Sequence, residues 1–163
     1  MIGKVVDLLR QIEGVYKELY ALSEKKQERI VANDAEAVSE IVKEEWRILT
    51  EAEELETKRG EAVREYLEQK GDAAGSTLQD VLAVASPEER EKLEVVSGEL
   101  RELLEKQKKI NAENRSLIEL HLEYLDYMVN TVLKEPQVSD IYGNSGMVAD
   151  VSTANKGIID NEA

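Results

Sequence analysis

The chain has no cysteine and no phenylalanine, and its 163 residues include only one histidine and two prolines. Without cysteine, it cannot form a disulfide, a thiolate metal site or a cysteine nucleophile. Basic residues are also scarce: 21 Lys and Arg stand against 35 Asp and Glu, giving a formal net charge of −14. This balance argues against binding to nucleic acid or to an anionic membrane surface, because both attract clustered Lys and Arg.

Long apolar runs are missing as well. The longest, Val81–Ala85, has five residues, whereas a membrane-spanning helix needs about 20. The N-terminal segment reaches an acid at Asp7 and lacks the apolar centre of a signal peptide. We therefore expect a cytoplasmic protein with no membrane insertion. Hydrophobic residues make up 42% of the chain and are mostly aliphatic, which is enough for a core.

Apolar residues recur at steps of three and four through most of the chain, which predicts amphipathic helices. Asn33 precedes Glu36 at capping-box spacing, and Ser76 precedes Gln79 in the same way. The run Ser86-Pro87-Glu-Glu89 combines an N-cap serine, a proline at the first helical position and a glutamate at the third. The predicted helices cover residues 2–31, 34–69, 77–85 and 87–135.

The last predicted helix repeats two core positions every seven residues, which is typical of coiled-coil packing. One position holds Val96, Leu103, Ile110, Leu117, Tyr124 and Thr131, and the other holds Leu93, Leu100, Gln107, Asn114, His121 and Met128. Short connections favour antiparallel neighbours. The sequence thus predicts an all-α fold, an elongated antiparallel three-helix coiled-coil-like bundle with a short extra helix before the last one.

Polar residues interrupt these stripes at Arg59, Gln107, Asn114 and His121. We interpret them as a structural polar seam that fixes the helix register, with the Arg59 guanidinium reaching a carboxylate of a neighbouring helix. The residue three before His121 is Ile118, so the Glu-x-x-His pattern of helical metal carboxylate sites is absent. With no glycine-rich phosphate loop either, we predict no catalytic residue, no metal, no cofactor and no enzymatic activity.

The segment from Leu117 to Leu133 has more apolar surface than a core-facing helix needs. Its strongly polar residues fall within about 60° of arc, and apolar residues cover about 240°. Part of this arc continues the two core positions of the heptad repeat. The rest lies outside those positions, on two flanks of the helix. The segment predicts a groove for a partner helix whose candidate residues are Leu117, Leu120, Leu122, Leu125, Tyr127, Val129 and Leu133. The alternative is a structural coiled-coil homodimer that uses this surface as its own interface.

Helical periodicity stops at Pro136, and the following residues hold three glycines and many Asn and Asp. We therefore predict a helical domain over residues 1–135 and a flexible tail over 136–163.

Two motifs in the C-terminal third give the chain a resemblance to a known family. They are Asn111-Ala-Glu-Asn114-Arg-Ser-Leu117 and, after Pro136, Ile141-Tyr142-Gly143-Asn-Ser-Gly146. In this order and spacing they resemble the FlgN family of flagellar export chaperones. The resemblance implies a non-catalytic cytoplasmic protein that binds the terminal helices of hook-associated proteins of the FlgK or FlgL type. It also implies that such a protein keeps them unpolymerised and delivers them to the export gate protein FlhA.

Carried over to this sequence, the resemblance assigns gate contact to Tyr142, with Ile141 and Gly143 beside it. It assigns client binding to the end of the last helix, where the apolar excess lies. Without a client, the protein could form a homodimer through that surface.

Overall fold

The structure, a computed structural model, describes the backbone of residues 2–141 and the side chains of residues 2–133. The all-α prediction is confirmed: the described residues form four helices and no strand. These helices are α1 (Ile2–Val31), α2 (Ala35–Gln69), α3 (Leu78–Val84) and α4 (Pro87–Ile141). The chain divides into two compact units, Met1–Leu117 and Ile118–Ala163, called unit 1 and unit 2 below.

The connection between α1 and α2 differs from the predicted one at its cap. Asn33 adopts a left-handed conformation (φ 57°), and its N–H donates to the Ile30 carbonyl at 3.0 Å. The cap of α2 is instead Asp34, whose carboxylate accepts from the Ala37 N–H at 3.1 Å. Asn33 as the predicted N-cap is therefore wrong, because that residue is used to end α1.

The end of α2 is as predicted. Gly71 follows the helix with φ 84°, its N–H donates to the Glu68 carbonyl at 3.1 Å, and the Asp72 N–H donates to the Leu67 carbonyl at 2.9 Å. This is the Schellman arrangement, which satisfies two carbonyls that the helix itself cannot pair.

The cap of α3 lies one residue later than predicted. Thr77 is the N-cap, and the Asp80 carboxylate accepts from the Thr77 N–H at 2.8 Å while the Thr77 hydroxyl accepts from the Asp80 N–H at 3.2 Å. The predicted pair, Ser76 with Gln79, is wrong. A charged carboxylate accepts more strongly at a helix N-terminus than a neutral amide does.

The start of α4 matches its prediction, since the Ser86 N–H donates to Glu89 Oε2 at 2.9 Å and the Glu89 N–H donates back to Ser86 Oγ at 3.3 Å. The helix ends later than predicted, at Ile141 instead of residue 135. Pro136 removes one backbone donor, but the helix continues past it. The predicted flexible tail otherwise falls on residues 142–163, which lie outside the described part.

Unit 1 holds an aliphatic core to which all four helices contribute. Its fully buried large side chains include Leu9 and Ile12 of α1, Val63 of α2 and Leu93 of α4. Burying each contributes about 1.5–3 kcal/mol. The buried set also contains one aromatic residue, Tyr66 of α2, and two further valines, Val81 of α3 and Val96 of α4.

Ion pairs between helices show how the chain runs through unit 1. Lys26, near the end of α1, pairs with Glu45, near the start of α2, at 2.8 Å. Lys4, near the start of α1, pairs with Glu65, near the end of α2, at 2.8 Å. The two helices are therefore antiparallel. None of the helices in the described range is long and apolar enough to cross a membrane.

The heptad seam of α4 is buried only in unit 1. Val96, Leu100 and Ile110 are buried as predicted, but in unit 2 the seam residues Tyr124 and Met128 are 59% and 41% exposed. The prediction that the seam stays packed through Thr131 is wrong. Among its described residues unit 2 contains only the C-terminal part of α4, so it has no second helix of its own to supply the holes into which seam side chains fit.

Candidate partner-binding surface

Unit 2 exposes a run of large apolar side chains on a regular helix. Between Ile118 and Leu133, ten of them are between 37% and 67% exposed. We call this set the 118–133 surface, and it consists of Ile118, Leu120, Leu122, Tyr124, Leu125, Tyr127, Met128, Val129, Val132 and Leu133. Single exposed apolar residues are ordinary on proteins, whereas a contiguous run of this kind is typical of an interaction surface.

Polar residues in this segment lie on one narrow side of the helix. At about 100° per residue, Glu119, Glu123, Asp126 and Asn130 fall within about 60° of arc, and the apolar residues occupy about 240°. The segment carries no Lys or Arg between Ile118 and Leu133. The surface is thus apolar around most of the helix, with a single acidic stripe, defined by the four polar residues above, along one side.

The predicted client-binding residues fall on both units. Six of the seven belong to the 118–133 surface, namely Leu120, Leu122, Leu125, Tyr127, Val129 and Leu133. Leu117 is half-buried and is the last residue of unit 1. Of the residues predicted to contact the export gate, Ile141 ends α4, whereas Tyr142 and Gly143 lie outside the described residues.

Two residues of the predicted polar seam bind α1. Gln107 Nε2 donates to Ser23 Oγ at 2.7 Å, and Asn114 Nδ2 donates to the Ser23 carbonyl at 2.9 Å. Both side chains are buried, and their amide oxygens have no hydrogen-bond partner among the described residues. A buried acceptor without a partner costs about 1–3 kcal/mol. That these residues fix the helix register stays a prediction.

The other two seam residues behave differently. Arg59 is half-buried, and its Nε donates at 2.8 Å to Glu56 Oε2, one turn back on the same helix. The expectation of a carboxylate on a neighbouring helix is therefore wrong, because a residue three positions away on the same face is close enough to pair first. His121 is half-buried in unit 2.

Sequence reasoning missed Ser23, the buried α1 residue to which both amides donate. Its hydroxyl also donates to the Leu19 carbonyl at 2.9 Å, so the hydroxyl both donates and accepts inside the core. The available signal was its position: Ser23 follows Ile12, Val15 and Leu19 on the same stripe of α1. A serine at a core position opposite a polar seam residue is the pattern that would have identified it.

The described residues offer no group of three or more His, Asp and Glu side chains placed to hold a metal ion. What the arrangement can do chemically is bind another apolar surface. The 118–133 surface suits an amphipathic helix, whose apolar side can pack against an exposed apolar surface.

Comparison with known proteins gives the same family as the sequence motifs. A family model described as "FlgN protein" matches residues 1–149. A curated protein of Bacillus subtilis (strain 168), "Uncharacterized protein YvyG", is 26% identical over 121 residues, which cover 74% of each chain. No solved structure matches the chain.

Proposed function

The chain belongs to the FlgN family of flagellar export chaperones, and we propose that it binds the terminal helices of hook-associated proteins through the 118–133 surface. One observation carries this proposal: ten large apolar side chains are exposed along a folded helix. A client whose terminal helices assemble through apolar stripes needs those stripes covered before export. The 118–133 surface could cover them and so prevent premature assembly in the cytoplasm.

The test is co-elution of the full chain with terminal-helix fragments of hook-associated proteins from its own source. Wild-type chain should co-elute with the fragments, whereas Leu122→Asp and Val129→Asp should reduce co-elution because each places a charge on the 118–133 surface. Asn130→Asp is the matched control, since Asn130 lies on the acidic stripe and is exposed. It should co-elute like the wild type.

Circular dichroism and thermal unfolding of the same variants separate binding from folding. We expect all three to unfold at the wild-type temperature. If either Asp variant unfolds, the residue belongs to a core and the surface argument fails. If both stay folded and bind the fragments as well as the wild type does, the client site lies elsewhere on the chain.

Delivery is the second part of the proposal. Ile141, Tyr142 and Gly143 contact the export gate protein FlhA, so that the client and the gate are held by separate parts of the chain. Support comes from the family's motif at these positions. Tyr142→Ala should weaken FlhA binding at least about tenfold and leave client binding unchanged. Both affinities can be measured by titration of the same preparation, and joint loss of both would contradict the separation.

A self-associating coiled coil without an export role is the competing function, because the same exposed surface could pair with a second copy. Light scattering distinguishes the two. A chaperone gives a complex that contains one copy of the chain together with client fragment, whereas a structural dimer keeps its mass when the fragment is added.

A further inference from the structure

We propose that the 118–133 surface binds two client helices at once, one on each flank of the acidic stripe. This inference rests on the proposed chaperone function and specifies what the client must present. It follows from the width of the apolar arc, from the placement of its flanks and from the charge of the segment.

Unit 1 shows how wide an arc of α4 is buried when the helix packs against other helices. There, α4 shares one core with α1, α2 and α3, and its buried residues span about 100° of arc at 100° per residue. Adding the half-buried Leu103 and Leu117 widens this to about 120°. The 118–133 surface, at about 240°, is twice as wide on the same helix, so a single docked helix would leave about half of it in water.

The two flanks face nearly opposite directions. Leu122, Val129 and Leu133 form one flank, and Leu120 with Tyr127 form the other, about 150° away around the helix. A helix normally buries a stripe only a little over 100° wide against a whole core, so one docked helix cannot reach both flanks. Exposure is similar on the two flanks, with Leu122 at 56% and Leu120 at 62%. Each flank therefore needs its own helix.

Charge specifies the edges of those helices. The acidic stripe separates the flanks, and Lys and Arg are absent from Ile118 to Leu133. Two helices that pack on the flanks bring one edge each towards Glu123 and Asp126. Complementary potentials steer association and fix register, so the partner is a pair of amphipathic helices with Lys or Arg along the edge beside the stripe.

The experiment uses the full chain and three probes from one hook-associated protein: its N-terminal helix, its C-terminal helix, and the two joined by a flexible linker. Calorimetric titration and native mass spectrometry count helices per chain. We expect two single helices per chain at saturation. The joined probe should bind one to one, at least about tenfold more tightly than either helix, because its second contact is intramolecular.

Flank variants test the placement of the two helices. Leu122→Ser with Val129→Ser should reduce the count from two helices to one, and Leu120→Ser with Tyr127→Ser should do the same on the other flank. A count of one helix for the wild type overturns the inference and leaves the chaperone function standing. A flank double variant that still binds two helices does the same. A complex of two chains, in which a second copy takes one flank, also overturns it. If no probe binds, the proposed function fails as well.

Charge reversal tests the edge assignment. Glu123→Lys with Asp126→Lys should weaken binding of the joined probe at least about tenfold at low salt, and the difference should shrink in high salt because salt screens exposed charges. The neutral pair Glu123→Gln with Asp126→Asn should fall between the reversal and the wild type. Unchanged affinity in the reversed variant contradicts a basic edge on the client helices.

Discussion

Glu89 joins three parts of unit 1 through one carboxylate. Its Oε2 accepts from the Ser86 N–H at 2.9 Å, from the Tyr66 hydroxyl at 2.9 Å and from Lys70 Nζ at 3.5 Å. These donors, led by the Ser86 N–H, lower the pKa of Glu89 from 4.5 to about 2. The start of α4 is thereby tied to the end of α2, since Tyr66 and Lys70 come from that helix and its cap.

This pKa predicts a pH dependence of stability. Because the folded-state pKa is depressed, the stabilisation is fully present above about pH 4.5 and is lost as the pH falls towards 2. Glu89→Gln should lower the free energy of unfolding at pH 7 by about 1–2 kcal/mol, less than the pKa change alone implies because the carboxylate is partly exposed. It should also flatten the pH profile between pH 4.5 and 2.

Urea unfolding at a series of pH values measures both effects. Glu88→Gln is the matched control, because Glu88 is the exposed neighbour in the same helical turn, and it should keep the wild-type profile. A Glu89→Gln variant with an unchanged pH profile would contradict the assignment.

At the scale of single residues, the sequence predicts where polar groups interrupt the core better than it predicts their partners. The heptad repeat places Gln107 and Asn114 at the seam, and both are buried there. Their shared partner Ser23 and the pairing of Arg59 depend on which neighbouring chain atoms lie within about 3 Å. Helical periodicity locates a residue on a face and carries no information at that resolution.

The positions and ends of the helices are set by local sequence, and two glycines, one inside α2 and one after it, test this. Gly71 ends α2 with φ 84°, a conformation that strains any residue with a Cβ atom. Gly71→Ala should lower the free energy of unfolding by about 1 kcal/mol. At Gly60, inside α2, an added Cβ atom would have no neighbour within 4 Å outside the helix's own backbone, so Gly60→Ala should raise it by about 0.5–1 kcal/mol.

Thermal unfolding of the two glycine variants compares them on one helix. We expect the two variants to change the free energy of unfolding in opposite directions. If both variants destabilise the protein equally, the effect comes from loss of glycine as such and not from the left-handed cap.

At the scale of elements, the sequence predicts the four helices and the α4 seam as far as Asn114, because periodicity and caps are local properties. Two cap positions were off by one residue, Asn33 for Asp34 and Ser76 for Thr77, since adjacent polar residues compete for one role. The failure beyond Leu117 has another cause. A heptad repeat indicates that a helix can pack, but whether a neighbour is present depends on the rest of the chain or on a partner.

The whole molecule combines a unit with a shared core and a unit whose described helix exposes its apolar side chains. Isolated helices in water gain little without tertiary packing. The backbone amides of residues 118–133 should therefore exchange with solvent faster than those of residues 93–114, by at least about tenfold.

Hydrogen exchange with mass spectrometry, with and without the client fragments, measures this difference. Binding should slow exchange in residues 118–133 and leave the core of unit 1 unchanged. Equal exchange rates for residues 118–133 and 93–114 in the free chain would contradict the proposed difference in packing between the two units.

The buried core cluster of unit 1 is formed by residues between Val5 and Leu100, whereas the side chains of the 118–133 surface are exposed. Replacing one exposed apolar residue there by another changes the free energy of folding by only about 0.5 kcal/mol, whereas the same change in the core costs several times more. Substitutions in the two parts of the chain therefore have different effects on folding. Under the proposed function, mutation of this surface would alter which helices are bound while the scaffold stays intact, so a gene duplicate could acquire a new client without first losing its fold.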